Sequence, residues 1–247
     1  MGNVGHDELS VKQEIRGVVY LSVMSSEPAT STSSSELAPT DRRTRGRERR
    51  RNRVYEAAVT LFIDRGFDNT TMDDIAERAD VARATVFNHF TRKTAILDEW
   101  SARRRQRALD AIYSEHLEDH SVREVLERYM VELAKISTQT RAETVALMGA
   151  AVHATNVLAH PPLADELGSI LARAQANGHP PADVDTQLAG LLLAAGYFAT
   201  LSAWIDAEPA PFALHRQLLS MLNLILSGVL STGRSDDAEG SSTNQVI

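Results

Sequence analysis

The sequence predicts an all-α protein in two parts: an N-terminal three-helix domain and a larger helical domain, about nine helices in all. Three observations predict it. No stretch shows sustained alternation of apolar and polar residues, whereas apolar residues recur at helical spacing over most of the chain. Two boxes, Thr71-x-x-Asp74 and Ser121-x-x-Glu124, stand directly before such segments and mark helix starts. Gly66, Pro161 and Asn177-Gly178 fall where the helical periodicity stops.

Taken in order, residues 1–40 are expected to be a disordered tail. Lys12 and Arg16 precede a short apolar run, GVVYLSVM at 17–24, which faintly resembles an export signal but is at the short end for one. The stretch SSEPATSTSSSELAPT at 25–40 is too rich in Ser and Thr to bury a core. The run DRRTRGRERRRNR at 41–53 holds eight arginines against Asp41 and Glu48. Its first half is expected to be a flexible arm and its second half the start of a helix over about 47–65. Val54, Ala57, Ala58, Leu61 and Phe62 face inward there, and Gly66 stops the helix. Residues 71–90, TMDDIAERADVARATVFNHF, read as a short helix, a tight turn and a second short helix. Met72, Ile75, Ala76 and Ala79 share one face of the first. Asp80 tolerates the left-handed conformation a turn needs, and Val81 plugs the turn. Val86, Phe87 and Phe90 are expected to point inward from the second.

Longer helices follow. One covers 94–117, with Ile96, Leu97, Trp100, Ala108 and Ile112 inward. The next starts at Ser121 and buries Val122, Val125, Leu126, Tyr129, Met130 and Leu133. Others span about 141–158 and 163–176. Two more close the fold, from Asp183 or Asp185 to before Glu208-Pro209, and over about 212–230. Residues 231–247 read as a second disordered end. The segments 188–205 and 217–233 carry no charge, so a membrane hairpin has to be weighed. Their flanks hold Asp183, Asp185, Asp206 and Glu208 rather than Lys/Arg clusters, which argues instead for a buried helix pair and no membrane.

Inward residues of the 83–90 helix leave Arg83, Ala84, Thr85, Asn88 and His89 on its outer face. Short hydrogen-bonding side chains plus one arginine suit the DNA major groove. Arg83 is the candidate for a guanine or phosphate contact, Thr85 for a thymine methyl or phosphate, and Asn88 for adenine. His89 binds phosphate or caps local packing. Arg49, Arg50 and Arg53 are candidates for phosphate or minor-groove contact. The charge distribution agrees. Residues 41–93 hold 13 basic and 9 acidic side chains, whereas 94–247 hold 11 and 19, within a net charge of −7.

From Arg53 to Trp100 the chain resembles the TetR family of bacterial regulators. The matching residues are AAVTLF at 57–62, RGF at 65–67, TTMDDIAERA at 70–79, TVFNHF at 85–90 and Lys93. The resemblance implies that Thr71 and Lys93 anchor phosphates at helix starts. It also implies a helix-turn-helix domain over 41–93 and a regulatory and dimerisation domain over 94–230. Two helices from each of two chains, 184–206 and 212–230, would then form a four-helix homodimer interface. Two residues depart from the family pattern. Ala82 stands where a Ser or Thr usually caps the recognition helix, and Phe87 where a tyrosine usually meets phosphate.

Relatives hold an effector among the middle helices. Met130, Leu133, Leu147, Met148, His153, Tyr197 and Trp204 lie in the corresponding helices, and few cations follow residue 108, so a small hydrophobic effector is expected. No glycine-rich phosphate loop, Gly-x-Ser-x-Gly or helical His pair is present. No enzyme activity, catalytic residue, metal or cofactor is therefore expected, and the absence of cysteine fits a reducing cytoplasm. The expected function is a sequence-specific repressor of a double-stranded palindromic operator, released by its effector. A helical dimeric scaffold without DNA specificity is the alternative, but it leaves the arginine arm beside a groove-facing helix unexplained.

Overall fold

The computed structural model describes residues 39–115, 120–154, 162–178, 180 and 182–229. Most of the expected tail at 1–40, all of that at 231–247 and the side chain of His153 lie outside them. Among the described residues there are nine helices and no strand: α1 (Pro39–Arg65), α2 (Met72–Arg78), α3 (Arg83–His89), α4 (Thr94–Ser114), α5 (Val122–Gln139), α6 (Arg141–Ala154), α7 (Pro162–Ala176), α8 (Thr186–Ile205) and α9 (Leu214–Val229). Residues 1–45 form one unit and residues 46–247 another.

The first helix departs from expectation. It runs through the whole arginine run to Pro39 instead of starting near residue 47. Arginine is a good helix former, and proline is well placed at a first helical position. The inward stripe is as expected: Val54, Ala57, Ala58, Leu61 and Phe62 are all buried. Gly66 then takes φ +84°, a value a Cβ would strain, and ends the helix.

Both capping boxes form. The Thr71 side chain accepts from the Asp74 amide, and the Asp74 carboxylate accepts from the Thr71 amide at 2.7 Å. Ser121 and Glu124 repeat the arrangement at α5. Asp80 adopts φ +50° in the turn. Ala82 caps α3 with no side-chain hydrogen bond, as its methyl group requires.

Phe87 corrects the sequence reading. Val86 and Phe90 are buried, but Phe87 is 37% exposed. Helical geometry explains it: positions 86 and 90 are one turn apart on the inner face, while 87 lies one turn beyond 83 on the outer one. The Arg83 guanidinium covers the ring at 5.5 Å.

In the larger helical region, α7 and α8 approach with no side chain between them. A Cβ on Gly190 would lie 2.5 Å from both the Ala164 carbonyl oxygen and the Gly168 amide nitrogen. α9 buries Leu214, Leu218, Leu222 and Leu226, one residue per turn. Leu222 thus belongs to the core of the chain itself and not to an outer surface. The exposed leucines are others: Leu188, Leu191, Leu192 and Leu224. α8 is long and apolar enough to cross a membrane, but Leu193, Ala194, Tyr197, Phe198, Leu201 and Trp204 on it pack into the core.

Candidate nucleic-acid interface and regulatory cavity

Three helices hold the outer face of α3. Ile75 and Ala76 of α2, Val86 of α3 and Leu61 of α1 form the packing beneath it. At the top, Ala84 and Asn88 are exposed and Thr85 and His89 half-buried. Arg83 is 67% exposed along its side chain and pairs through Nε with Asp73 at 3.0 Å. An exposed pair of this kind contributes only about 0–1 kcal/mol. Exchange of Asp73 for a nucleic-acid acceptor therefore costs little. Burial, then the positive charges of Arg51, Arg47 and Arg50, hold the His89 imidazole below its ordinary pKa. At neutral pH it is an uncharged group with one N–H donor.

The expected basic residues divide by role. Arg49 and Arg50 are exposed on α1. Arg53 donates to the Asp80 carbonyl at 3.1 Å and so braces the turn. Thr71 keeps its capping role, with its hydroxyl 2.5 Å from the Asp74 carboxylate. Lys93 is half-buried. Its ammonium donates to the Thr70 carbonyl at 2.9 Å and to that of Phe67, and stands 4.2 Å from the centre of the Phe67 ring. Two of its three donors thus tie the loop after α1 to the start of α4.

Arg51 was missed among its neighbours. It donates to the His89 carbonyl at 2.8 Å and to Glu99 at 2.9 Å, with its guanidinium 4.4 Å from the Phe90 ring centre. It fastens the C-terminal end of α3 to α1 and α4. Its helical phase was the available signal, since positions 51, 54 and 58 share a stripe with buried Val54 and Ala58. Glu99 also accepts from Arg103 at 2.9 Å. Burial pushes the Glu99 carboxyl up, but the two arginines outweigh it and hold it below its ordinary pKa.

A small cavity of about 20 Å³ lies between α4, α5, α6, α7 and α8. Of the residues expected to meet an effector, Leu133, Met148 and Tyr197 line it. Met130, Leu147 and Trp204 are buried but do not. Trp204 lies instead under Arg141, at 4.3 Å. Sequence reasoning overlooked Arg104 and Arg105, which do line it.

Comparison with known proteins agrees with this geometry. Residues 54–100 match the family described as bacterial regulatory proteins, tetR family. The biofilm operon negative transcriptional regulator IcaR of Staphylococcus aureus is 35% identical over 49 residues, which is 20% of this chain and 26% of the relative. The transcriptional repressor KstR2 of Rhodococcus jostii is 38% identical over 56 residues, 23% of this chain and 28% of the relative. The chain thus spans little more than a quarter of the length of either. Among solved structures, Thermus thermophilus FadR, a TetR-family transcriptional repressor in complex with lauroyl-CoA, aligns with a TM-score of 0.61 and 26% identity. That alignment covers 77% of this chain and all of the other.

Proposed function

The chain belongs to the TetR family, through residues 54–100 and through its helical fold, and from that premise we propose that it is a cytoplasmic, homodimeric repressor of a palindromic DNA operator. One observation carries the reading: a rigidly packed α3 presents Arg83, Ala84, Asn88 and, in part, Thr85 and His89 outward, beside a helix rich in arginine. In this reading Arg83 and Asn88 face base edges, while Thr71, Lys93, Arg49, Arg50 and Arg53 lie against phosphates. Lys93 has one donor left for that purpose beyond its two carbonyls.

The homodimer rests on α8 and α9. Leu192 and Leu224 are 50% and 77% exposed on helices that are otherwise core-forming. A second copy would cover them and present two recognition helices about a two-fold axis, with half-sites one helical turn or a multiple of it apart. The effector would be a small, largely apolar molecule that enters the α4–α8 cavity and changes the setting of the two α3 helices.

Selection of bound fragments from the source genome, followed by titration of single-base operator variants, tests this. Asn88→Ala should lose about 1–3 kcal/mol on the preferred operator and relax preference at one base pair. Leu224→Arg or Leu192→Arg should yield monomers with at least tenfold weaker operator binding. A uniform loss across all sequences for Asn88→Ala, or fully active dimers of both leucine variants, overturns the assignment.

A further inference from the structure

Arg104 is 6% exposed, and among the described residues no carboxylate lies within ion-pair distance of it. Its partners are neutral. Ser137 Oγ accepts at 2.6 Å, Thr140 Oγ1 at 3.1 Å, and the Tyr197 phenol adjoins both Ser137 and the guanidinium. The Trp100 ring lies 4.6 Å away. A buried cation with no carboxylate in direct contact is costly.

The hydroxyls are themselves fixed. Ser137 donates to the Leu133 carbonyl at 2.7 Å and Thr140 to the Ile136 carbonyl at 2.8 Å. Their protons are therefore spent on helix α5, and their lone pairs are left facing the guanidinium. This cradle orients the charge and does not neutralise it. The carboxylates nearby are engaged elsewhere. Glu143 accepts from Trp100 Nε1 at 2.6 Å. Glu166 accepts from Arg105 at 2.8 Å and from the Tyr129 hydroxyl at 2.7 Å. Arg105 is thus paired directly, whereas Arg104 has no carboxylate in contact, and Glu143, turned toward the indole, attracts it only from a distance. Beside Ser101, Tyr197 and the two arginines, that wall is apolar, with Leu133, Met148, Leu163, Phe198 and Leu201.

We propose that the cavity recognises a monocarboxylate with a short apolar body, its carboxylate held by Arg104 with the Tyr197 hydroxyl alongside. A guanidinium carries five N–H donors in a planar fork that matches a carboxylate. Three are accounted for by the neutral partners, which leaves donors for the ligand. The fork selects a carboxylate over a neutral head group, because its remaining donors meet no anion directly. The closed volume is on the scale of one water. The head group takes that place, and the flexible Met148 side chain yields room for the body. This specifies the effector of the site named above and rests on reading α4–α8 as the effector domain.

The test is calorimetry and thermal shift on the full chain without DNA. The probes are propanoate, hexanoate and benzoate, each paired with its primary amide, which has nearly the same shape and no charge. At least one acid should bind at least tenfold more tightly than its amide. Arg104→Met should abolish the preference and Arg104→Lys should retain part of it. Equal binding of acid and amide, or no binding of any acid, overturns the proposal, and neither result depends on how a variant folds. Acid binding that survives in a folded Arg104→Met protein overturns it too. Operator titration of the same preparation separates the two readings: a protein that binds its operator but ignores every acid keeps its regulatory function and loses this site.

Discussion

Arg83 and Arg104 are the same side chain in opposite circumstances. Arg83 stands in solvent, paired with an acid that it can release. Arg104 is buried, in direct contact with hydroxyls and an indole ring and with no carboxylate. The difference teaches how each half of the molecule makes a surface for a charged partner. Around α3 the charges lie outside a small apolar core, where water screens them. A large polyanion can approach many of them together. Around α4 the charge lies inside, where the surroundings screen weakly, so that in the proposed reading one charge would suffice to select one partner.

The strongest way to break this contrast is salt. If the α1 and α3 face meets DNA through roughly 6–10 phosphate contacts, operator affinity should fall about a thousandfold or more between 50 and 200 mM salt. Acid binding at the cavity should change far less over the same range, since buried charge is poorly screened. Fluorescence anisotropy for DNA and calorimetry for benzoate give the two slopes. A flat DNA slope, or two equal slopes, removes the distinction.

Substitution to methionine sharpens it. Arg83→Met should leave folding stability within about 0.5 kcal/mol, because surface pairs contribute little, while operator affinity drops by about 1–3 kcal/mol. Arg104→Met should leave stability unchanged or raise it by about 1–4 kcal/mol, as replacement of buried charge by a well-packed apolar group often does. Urea titration of both proteins decides. A large loss of stability in Arg104→Met would mean that the cation serves the fold itself.

The two regions were unequally legible in the sequence. The helix-turn-helix lies within twenty consecutive residues, so its caps, turn and outward face follow from local rules. Thr71, Asp74, Asp80 and Gly66 behave as those rules require. Phe87 was misplaced because apolar character was read as burial, although its helical phase puts it beside Arg83. The start of α1 was missed because a dense run of like charge was read as flexible. The cavity was barely legible. It gathers side chains from positions 100 to 201 on five helices, and no local pattern brings Arg104 against Ser137 and Tyr197. The count of cations beyond residue 108 pointed to a hydrophobic effector, and it left out Arg104, which stands before that point on α4.

The smallest effect expected is in acid, at the junction of the two regions. Glu99 joins Arg51 of α1 to Arg103 of α4, and its carboxyl sits below the ordinary range in the folded chain. Its contribution is therefore present above the unfolded carboxylate pKa, near 4.3, and is lost as pH falls through the lower folded value. Glu99→Gln should flatten that acid limb relative to the parent protein. Stability measured from pH 7 down to pH 3 checks it, and parallel curves for the two proteins would show that the junction is not held by this charge.

The crossing of α7 and α8 has a mechanical meaning. At Gly190 the two backbones touch directly, so this pair of helices behaves as one stiff beam along one side of the cavity. A hollow with one rigid wall can swell only through the others, which α4, α5 and α6 supply. Of these, α4 alone begins at the clasp between Lys93 and the carbonyls of Phe67 and Thr70. Stiffness on one side thus turns an added volume in the cavity into leverage on the far end of a single helix.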